Sequence, residues 1–520
     1  MLHAGLRKVM IAVRLGPHPK TDYSPLPRGE GGPRPAPLRA GAGRVRGQFG
    51  PKYSCQKNKI LRTCIVALAL IAAGCKVGPN YHRPAVTVPE TYRGAAAAAP
   101  PAAVSFGDEK WWEVFQDPQL QALIRTALKQ NYDVRIAATR MLEAQAQLGI
   151  ARGSQLPTAG VIAAGNTQRD SKSNFFSAYE TSYNELGLGF QWDLDFWGKY
   201  RRATEAARDE LLATDWARQQ VVGSLVANVA SAYFILRAED LQLQISQRTL
   251  TSDRDSLRLT QMLSDHGATS LLDVRQAEQL VYTASGAIPN LEKQIQQQED
   301  LISTLLGQNP DGVTRGLELT AEPHVPEVPA GLPSSLLERR PDIRQAEAQL
   351  MAANARIGVA KAAYFPDISL TGIGGLESIP LTKLFTRQSG MWNFTGQLAQ
   401  PLYAAGTLKN GVRLARAEQE QAVLGYQQTI QQAFREVSDA LIAYSKDREF
   451  RIQQESLTQA ARDASRLSDL RYRGGASSYL EVLDSNTRYY SAQLTLAQAQ
   501  LSEMLDYVQL YRALGGGWRQ

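Results

Sequence analysis

The residue types able to do chemistry are few in this 520-residue chain, and their spacing does not suit catalysis. The five histidines, His3, His18, His82, His266 and His324, include no pair at the helical spacing that would hold a metal. The chain has no HExxH, no phosphate-cradling glycine loop and no GxSxG elbow. The expectation is therefore a protein that is not an enzyme and uses neither metal nor cofactor. Glu481 and Asp484 lie three residues apart, which puts both carboxylates on one face of a helix. Like charges so placed repel each other and attract cations, although an ordinary solvated surface produces the same spacing.

Charge excludes another class. The sequence has 57 Lys plus Arg against 50 Asp plus Glu, a net charge of +7. Residues 1–74 hold 13 of the basic and 2 of the acidic residues, which leaves 44 against 48 for the rest. A nucleic-acid partner needs its basic surface on the folded body, and here the body is mildly acidic. No nucleic acid is expected.

The longest apolar run, Ile65 to Ala73, is too short to cross a bilayer as a helix. It follows Lys57, Lys59 and Arg62 and ends in Ala72-Ala73-Gly74-Cys75, the layout of a secretory signal. The end resembles a bacterial lipobox, with Cys75 as the acylated first residue of the mature chain. Lys76 follows it where an inner-membrane retention signal would carry aspartate, so the expected site is the outer membrane, held by lipid. Cleavage there removes Cys55 and Cys64 and leaves no internal disulfide. Residues 57–74 are read as the signal peptide. Residues 1–56, rich in Pro, Gly and Arg, are read as a disordered extension or as sequence upstream of the true start. Residues 75–110 are an extended segment and linker.

The rest of the chain repeats itself. Leu148-Gly149-Ile150-Ala151 matches Ile357-Gly358-Val359-Ala360, and Gly267 to Val274 matches Gly475 to Val482, at offsets of 209 and 208. The expected repeats are 111–307 and 333–520, joined by a Pro-rich linker at 308–332. Each copy reads as helix, two strands, a very long helix and a medium one. The helices are expected over Pro118–Arg152, Lys199–Asp265, Leu271–Leu306, Pro333–Ala362, Leu408–Arg473 and Ser478–Leu514. Val222, Leu225, Val229, Ala232 and Leu236 form a heptad seam, repeated 208 residues on by Ile430, Ala433, Val437, Ala440 and Tyr444.

Between the helices the period changes to two. Leu186, Leu188, Phe190, Trp192 and Leu194 alternate with polar or glycine positions, and Trp392, Phe394, Leu398 and Leu402 repeat this less cleanly. Their partners are expected near 157–168 and 366–376. The fold class is mainly α with a β-barrel part: long helices with coiled-coil seams and a membrane β-barrel to which each chain gives four strands, in two internal repeats. Four strands cannot close a barrel, and open edges are not tolerated in lipid. An oligomer is required, and three copies, giving twelve strands, leave a lumen that eight strands would fill.

Several motifs together are similar to a known family. Cys75 to Pro84, Trp111 to Pro118, Trp197-Gly198-Lys199, Glu338 to Ile343 and Ala513 to Trp518 resemble the TolC-type outer-membrane efflux channels, most of all the OprM-like (NodT-type) lipoprotein branch. The resemblance covers Cys75 to Gln520. It implies a homotrimer with a twelve-stranded barrel and a long α-helical coiled-coil barrel crossing the periplasm, a periplasmic adaptor protein and an inner-membrane pump as partners, and drugs or other small molecules as cargo. It also implies that the turns at Gly267, Ala268, Ser270 and Leu271 and at Gly475, Ala476 and Ser478 are adaptor-docking tips. Leu480 and Asp484 match the family's constricting hydrophobic and acidic positions at the pore gate, where Glu481 joins them by its spacing from Asp484; the family's arginine partner falls at Thr487, with Arg488 one place on. Tyr472 and Asp273 are the expected tip contacts that hold the gate shut. The rival readings are a duct for type I protein secretion or metal export, and a structural coiled-coil lipoprotein, which would lack amphipathic strands.

Overall fold

The computed structural model describes residues 76–94, 105–169, 171, 173, 180–321 and 330–518. The expected lipid site at Cys75, the signal peptide and the extension before it lie outside the described residues. In chain order the elements are α1 (Trp111–Val114), α2 (Pro118–Gln130), α3 (Tyr132–Gly153), β1 (Thr158–Arg169), β2 (Glu180–Leu194), α4 (Lys199–Asp265) and α5 (Leu271–Leu305). The second copy supplies α6 (Pro333–Arg339), α7 (Pro341–Ala362), β3 (Asp367–Ser378), β4 (Gly390–Ala399), α8 (Thr407–Arg473) and α9 (Tyr479–Ala513). The duplication extends to element length: α4 and α8 have 67 residues each, and α5 and α9 have 35 each.

Two expected helices are each split in two, for different reasons. The expected Pro118–Arg152 helix breaks at Asn131, whose side-chain oxygen accepts from Asp133 N (2.8 Å) and Val134 N (3.2 Å) while its amide donates to Leu305 O (2.9 Å). An asparagine so engaged starts a new helix. The expected Pro333–Ala362 helix breaks at Arg340, because Pro341 drives the residue before it out of the α region, here to φ −75° and ψ 123°.

All ten seam residues are buried, from Val222 and Leu236 to Ile430 and Tyr444. Each fully buried aliphatic residue in such a seam contributes about 1.5–3 kcal/mol. Among the described residues one helix, α4, is apolar and long enough by composition to cross a membrane, contrary to the expectation that none is. Its apolar window is mostly buried among neighbouring helices, so its hydrophobicity belongs to the core.

The four strands form one antiparallel sheet in the order β1-β2-β3-β4. The registers Val161↔Leu188, Leu188↔Gly374 and Gly372↔Phe394 bring Ala159, Val161, Leu188, Phe190, Leu370 and Phe394 onto one face. Gln191, Thr371, Ser369, Asn393 and Gln397 share the other. Phe190 lies across Gly372, where a Cβ would come within 2.2 Å of its ring, and approaches Phe394 at 6.1 Å between centroids. The strand expected to reach Leu402 ends at Ala399, since Pro401 has no N–H for a ladder. Gly198 (φ +78°) and Gly406 (φ +82°) start α4 and α8 after the sheet, in a left-handed conformation that only glycine adopts cheaply. From there each long helix runs about 100 Å to its far turn.

Candidate functional site: the two hairpin tips

The turns between α4 and α5 and between α8 and α9 have the same backbone. At the first, Ala268 N donates to Leu263 O (2.8 Å) and Gly267 N to Ser264 O (2.9 Å). At the second, Ala476 N donates to Arg471 O and Gly475 N to Tyr472 O, both at 2.9 Å. Both are Schellman turns closed by a left-handed glycine, φ +74° at Gly267 and +70° at Gly475. Beyond the glycine itself and its two chain neighbours, nothing lies within 4 Å of where a Cβ on either glycine would sit. Gly267, Ala268, Ser270, Leu271, Gly475, Ala476 and Ser478 are all exposed. The turns are thus closed by backbone hydrogen bonds and exposed to solvent.

Side chains differ between the tips. Ser270 accepts from Asp273 N (3.3 Å) and Asp273 accepts from Ser270 N (3.2 Å), a reciprocal cap to which the Thr269 hydroxyl adds a further bond. Ser478 makes no cap bond. Instead Glu481 reaches back across the turn to Arg471, 3.7 Å away. Below it Tyr479, 1% exposed, packs with Val482 and Ala277 in a small cluster edged by Leu257, Tyr472 and Leu483. Tyr479 and Tyr472 meet edge to face at 5.3 Å, and the Tyr479 hydroxyl lies 3.4 Å from Ser256.

The three residues expected at the gate stand together on the first turns of α9. Leu480 is exposed, Glu481 pairs with Arg471, and Asp484 accepts from Arg488 Nε at 2.8 Å. Thr487, where the arginine partner was expected, bonds only its own helix at Leu483 O. Arg488, one place on, is the residue that bonds Asp484, within the same helix. The expected hydrogen bond from Tyr472 to Asp273 is not made within the chain. Asp273 is occupied by its own cap, and the enclosed Tyr472 hydroxyl has no hydrogen-bond partner among the described residues. Asp253, on α4, was missed by the sequence reading. It is 4% exposed, and burial pushes its carboxyl up to about 6. One buried acid in a seam of small polar residues carries no sequence signal.

The chain matches the family model for outer membrane efflux proteins over residues 123–308 and 332–516. The chain belongs to the outer membrane efflux protein family. It is 37% identical over 460 residues to the probable efflux pump outer membrane protein TtgC of Pseudomonas putida, covering 87% of this chain and 95% of the relative. It is 35% identical over 463 residues to the cation efflux system protein CusC of Escherichia coli, covering 88% and 99%. Among solved structures, the outer-membrane channel OprN superposes with a TM-score of 0.80 at 30% identity, covering 85% of this chain and all of that one. The open state of the Neisseria gonorrhoeae MtrE outer membrane channel gives 0.78 at 33%, covering 86% and 99%.

In this efflux protein the motifs that carried the resemblance hold the middle of the helical body and its junction with the sheet. Asp117 is fully buried and accepts from Tyr233 OH (2.6 Å), Gln119 N (2.7 Å) and Leu317 N (2.9 Å). Burial, then this bond, pushes the Tyr233 hydroxyl well above its ordinary value. Arg340 is buried and donates to Asp342 (2.5 Å), Glu436 (2.7 Å) and Ala513 O (3.1 Å), tying α7, α8 and the end of α9 together. Trp197 stacks on Phe365 at 4.8 Å and donates to Pro366 O, where the sheet meets the helices. The extended segment after Cys75 is clamped as well: Arg202 donates to Val77 O and Gly78 O, and Arg83 grips Glu347 with two bonds of 2.6 Å. These residues position the channel; none of them belongs to the tips.

Proposed function

We propose that this outer-membrane efflux channel is the exit duct of a tripartite system, in which three copies complete one twelve-stranded barrel. Cys75 carries the lipid anchor. The exposed tips at Gly267–Leu271 and Gly475–Ser478 dock a periplasmic adaptor that joins the duct to an inner-membrane pump. The observation that carries the reading is the four-stranded sheet, apolar on one face and polar on the other, with β1 and β4 as open edges at the end of hairpins about 100 Å long. Neither edge is stable in lipid until a neighbouring copy pairs with it. Cargo is a small molecule chosen by the pump. The relatives' names include toluene, antibiotic and cation efflux.

At the gate, Leu480, Glu481 and Asp484 of three chains surround a narrow opening. Arg471 and Arg488 offset part of the acidic charge, so the ring favours cations less than six bare carboxylates would. The test is native mass spectrometry of detergent-extracted protein, followed by planar-bilayer conductance. A stable monomer or dimer as the sole folded species overturns the trimer. Replacing Glu481 and Asp484 with Ala should lower cation preference and divalent block. Unchanged selectivity removes these residues from the gate.

A second reading, a duct for metal export, is favoured by the similarity to the cation efflux protein. Restoring tolerance to toxic metal cations, but not solvent tolerance, in a host lacking its own duct would select it.

A further inference from the structure

β1 and β2, and β3 and β4, are joined at the end of the sheet opposite the helices. The β3–β4 connection, Ile379 to Ser389, is folded on itself. Ser389 Oγ and Thr386 Oγ donate to Lys383 O at 2.7 and 2.8 Å, Ser378 Oγ donates to Pro380 O at 3.0 Å, and the Asn184 side chain donates to Ile379 O at 2.9 Å. Leu384 is tucked in at 5% exposure. This ordered frame nevertheless holds Ile379, Leu381 and Phe385 outward, at 71%, 64% and 75% exposure. A rigid loop cannot hide such side chains by collapsing, so they call for an apolar surface outside it. Lys383 and Arg387, both exposed, are the only charged residues from Ser378 to Gly390.

Large apolar groups beside cations with no acid are the composition of a segment that lies in a lipid interface. The loop leads directly into Trp392, Phe394 and Leu398, all exposed on the apolar face of β4. Apolar surface thus runs from strand to loop.

From this juxtaposition we infer that the β3–β4 loop docks on the lipid surface around the barrel's outer rim, with Ile379, Leu381 and Phe385 in the acyl boundary and Lys383 and Arg387 on anionic headgroup phosphates. The inference rests on the barrel reading above, and the test separates the two. A nitroxide is placed at Phe385→Cys, with Phe394→Cys and Thr395→Cys as markers of the two sheet faces. The assembled protein is reconstituted in vesicles of phosphatidylcholine, with or without phosphatidylglycerol. The parent protein, taken through the same labelling, sets the background from native cysteines.

The expected result is an oxygen-over-nickel collision ratio at 385 several-fold above that at 395 and comparable to that at 394. The ratio should rise further with phosphatidylglycerol in the parent loop, but not with Lys383→Gln and Arg387→Gln. Nickel-dominated access at 385 with lipid access intact at 394 overturns the docking alone. Spin–spin broadening at 385 also overturns it, since the loops would then meet over the pore. Loss of lipid access at 394 itself overturns the barrel.

Discussion

At the tip between α4 and α5 the helix start is closed by its own side chains, Ser270, Asp273 and Thr269, and the apolar pair Leu271 and Leu272 points to solvent. At the tip between α8 and α9 the corresponding serine caps nothing. Glu481, one methylene longer than Asp273, bridges to Arg471, and the residue matching Leu271 is Tyr479, folded into a cluster. One backbone turn therefore serves two purposes. The first tip is satisfied locally and presents an apolar surface. The second is held across the hairpin by an aromatic plug and an exposed ion pair. Duplication kept what the backbone needs, a left-handed glycine, and let the side chains diverge.

The largest expected effect comes from removing the plug. Tyr479→Ala should cost the second tip about 3–5 kcal/mol of local stability. Leu271→Ala, at the matching exposed position, should stay within about 0.5 kcal/mol. Hydrogen exchange of the two tip segments checks both, and equal losses would erase the contrast.

Next is pH. Asp253 is buried on α4 close enough to Tyr479 for its charge to oppose ionisation of that hydroxyl. Its folded value of about 6 lies above the ordinary carboxylate value of about 4. Its neutral form contributes stability that is fully present below about pH 4 and is lost as pH climbs through 6. The region around Asp253 and Tyr479 should therefore show larger protection factors, after correction for the intrinsic exchange rate, at pH 5 than at pH 8, and Asp253→Asn should flatten that difference. A slope unchanged in the variant would assign it to another group.

Caps come third. Ser270→Ala should cost about 1 kcal/mol at the first tip, whereas Ser478→Ala should cost no more than about 0.5 kcal/mol. The same exchange experiment ranks them. The smallest effect is expected from Arg471→Ala. The exposed Arg471–Glu481 pair should contribute less than about 0.5 kcal/mol to stability, and the visible change should be increased cation preference in single-channel recordings.

Periodicity made the scaffold legible. The seam from Val222 to Leu236 and its echo from Ile430 to Tyr444 are local patterns, and a pattern sustained over a long helix needs no tertiary information. The breaks at Asn131 and Arg340 were harder to see because apolar spacing continues through both; a cap bond and a proline's steric demand overrode it. The tips were legible as turns from Gly267 and Gly475. Partners were not. Whether Asp273 meets Tyr472 or closes its own helix depends on which donor is nearer, and Thr269 and Ser270 are nearer. Glu481 finds Arg471 only because the Schellman turn folds ten residues of chain back on themselves. The gate roles came from family resemblance, which carries positions better than it carries hydrogen bonds.

The open edges of β1 and β4 also have a genetic consequence. A chain whose β4 cannot pair spoils every assembly it enters, including those containing normal chains. In the proposed trimer, with defective and normal copies made in equal amounts, only about one assembly in eight would be wholly normal. Edge-strand alleles should therefore behave as dominant inhibitors of efflux, whereas alleles that stop a chain from folding should be recessive.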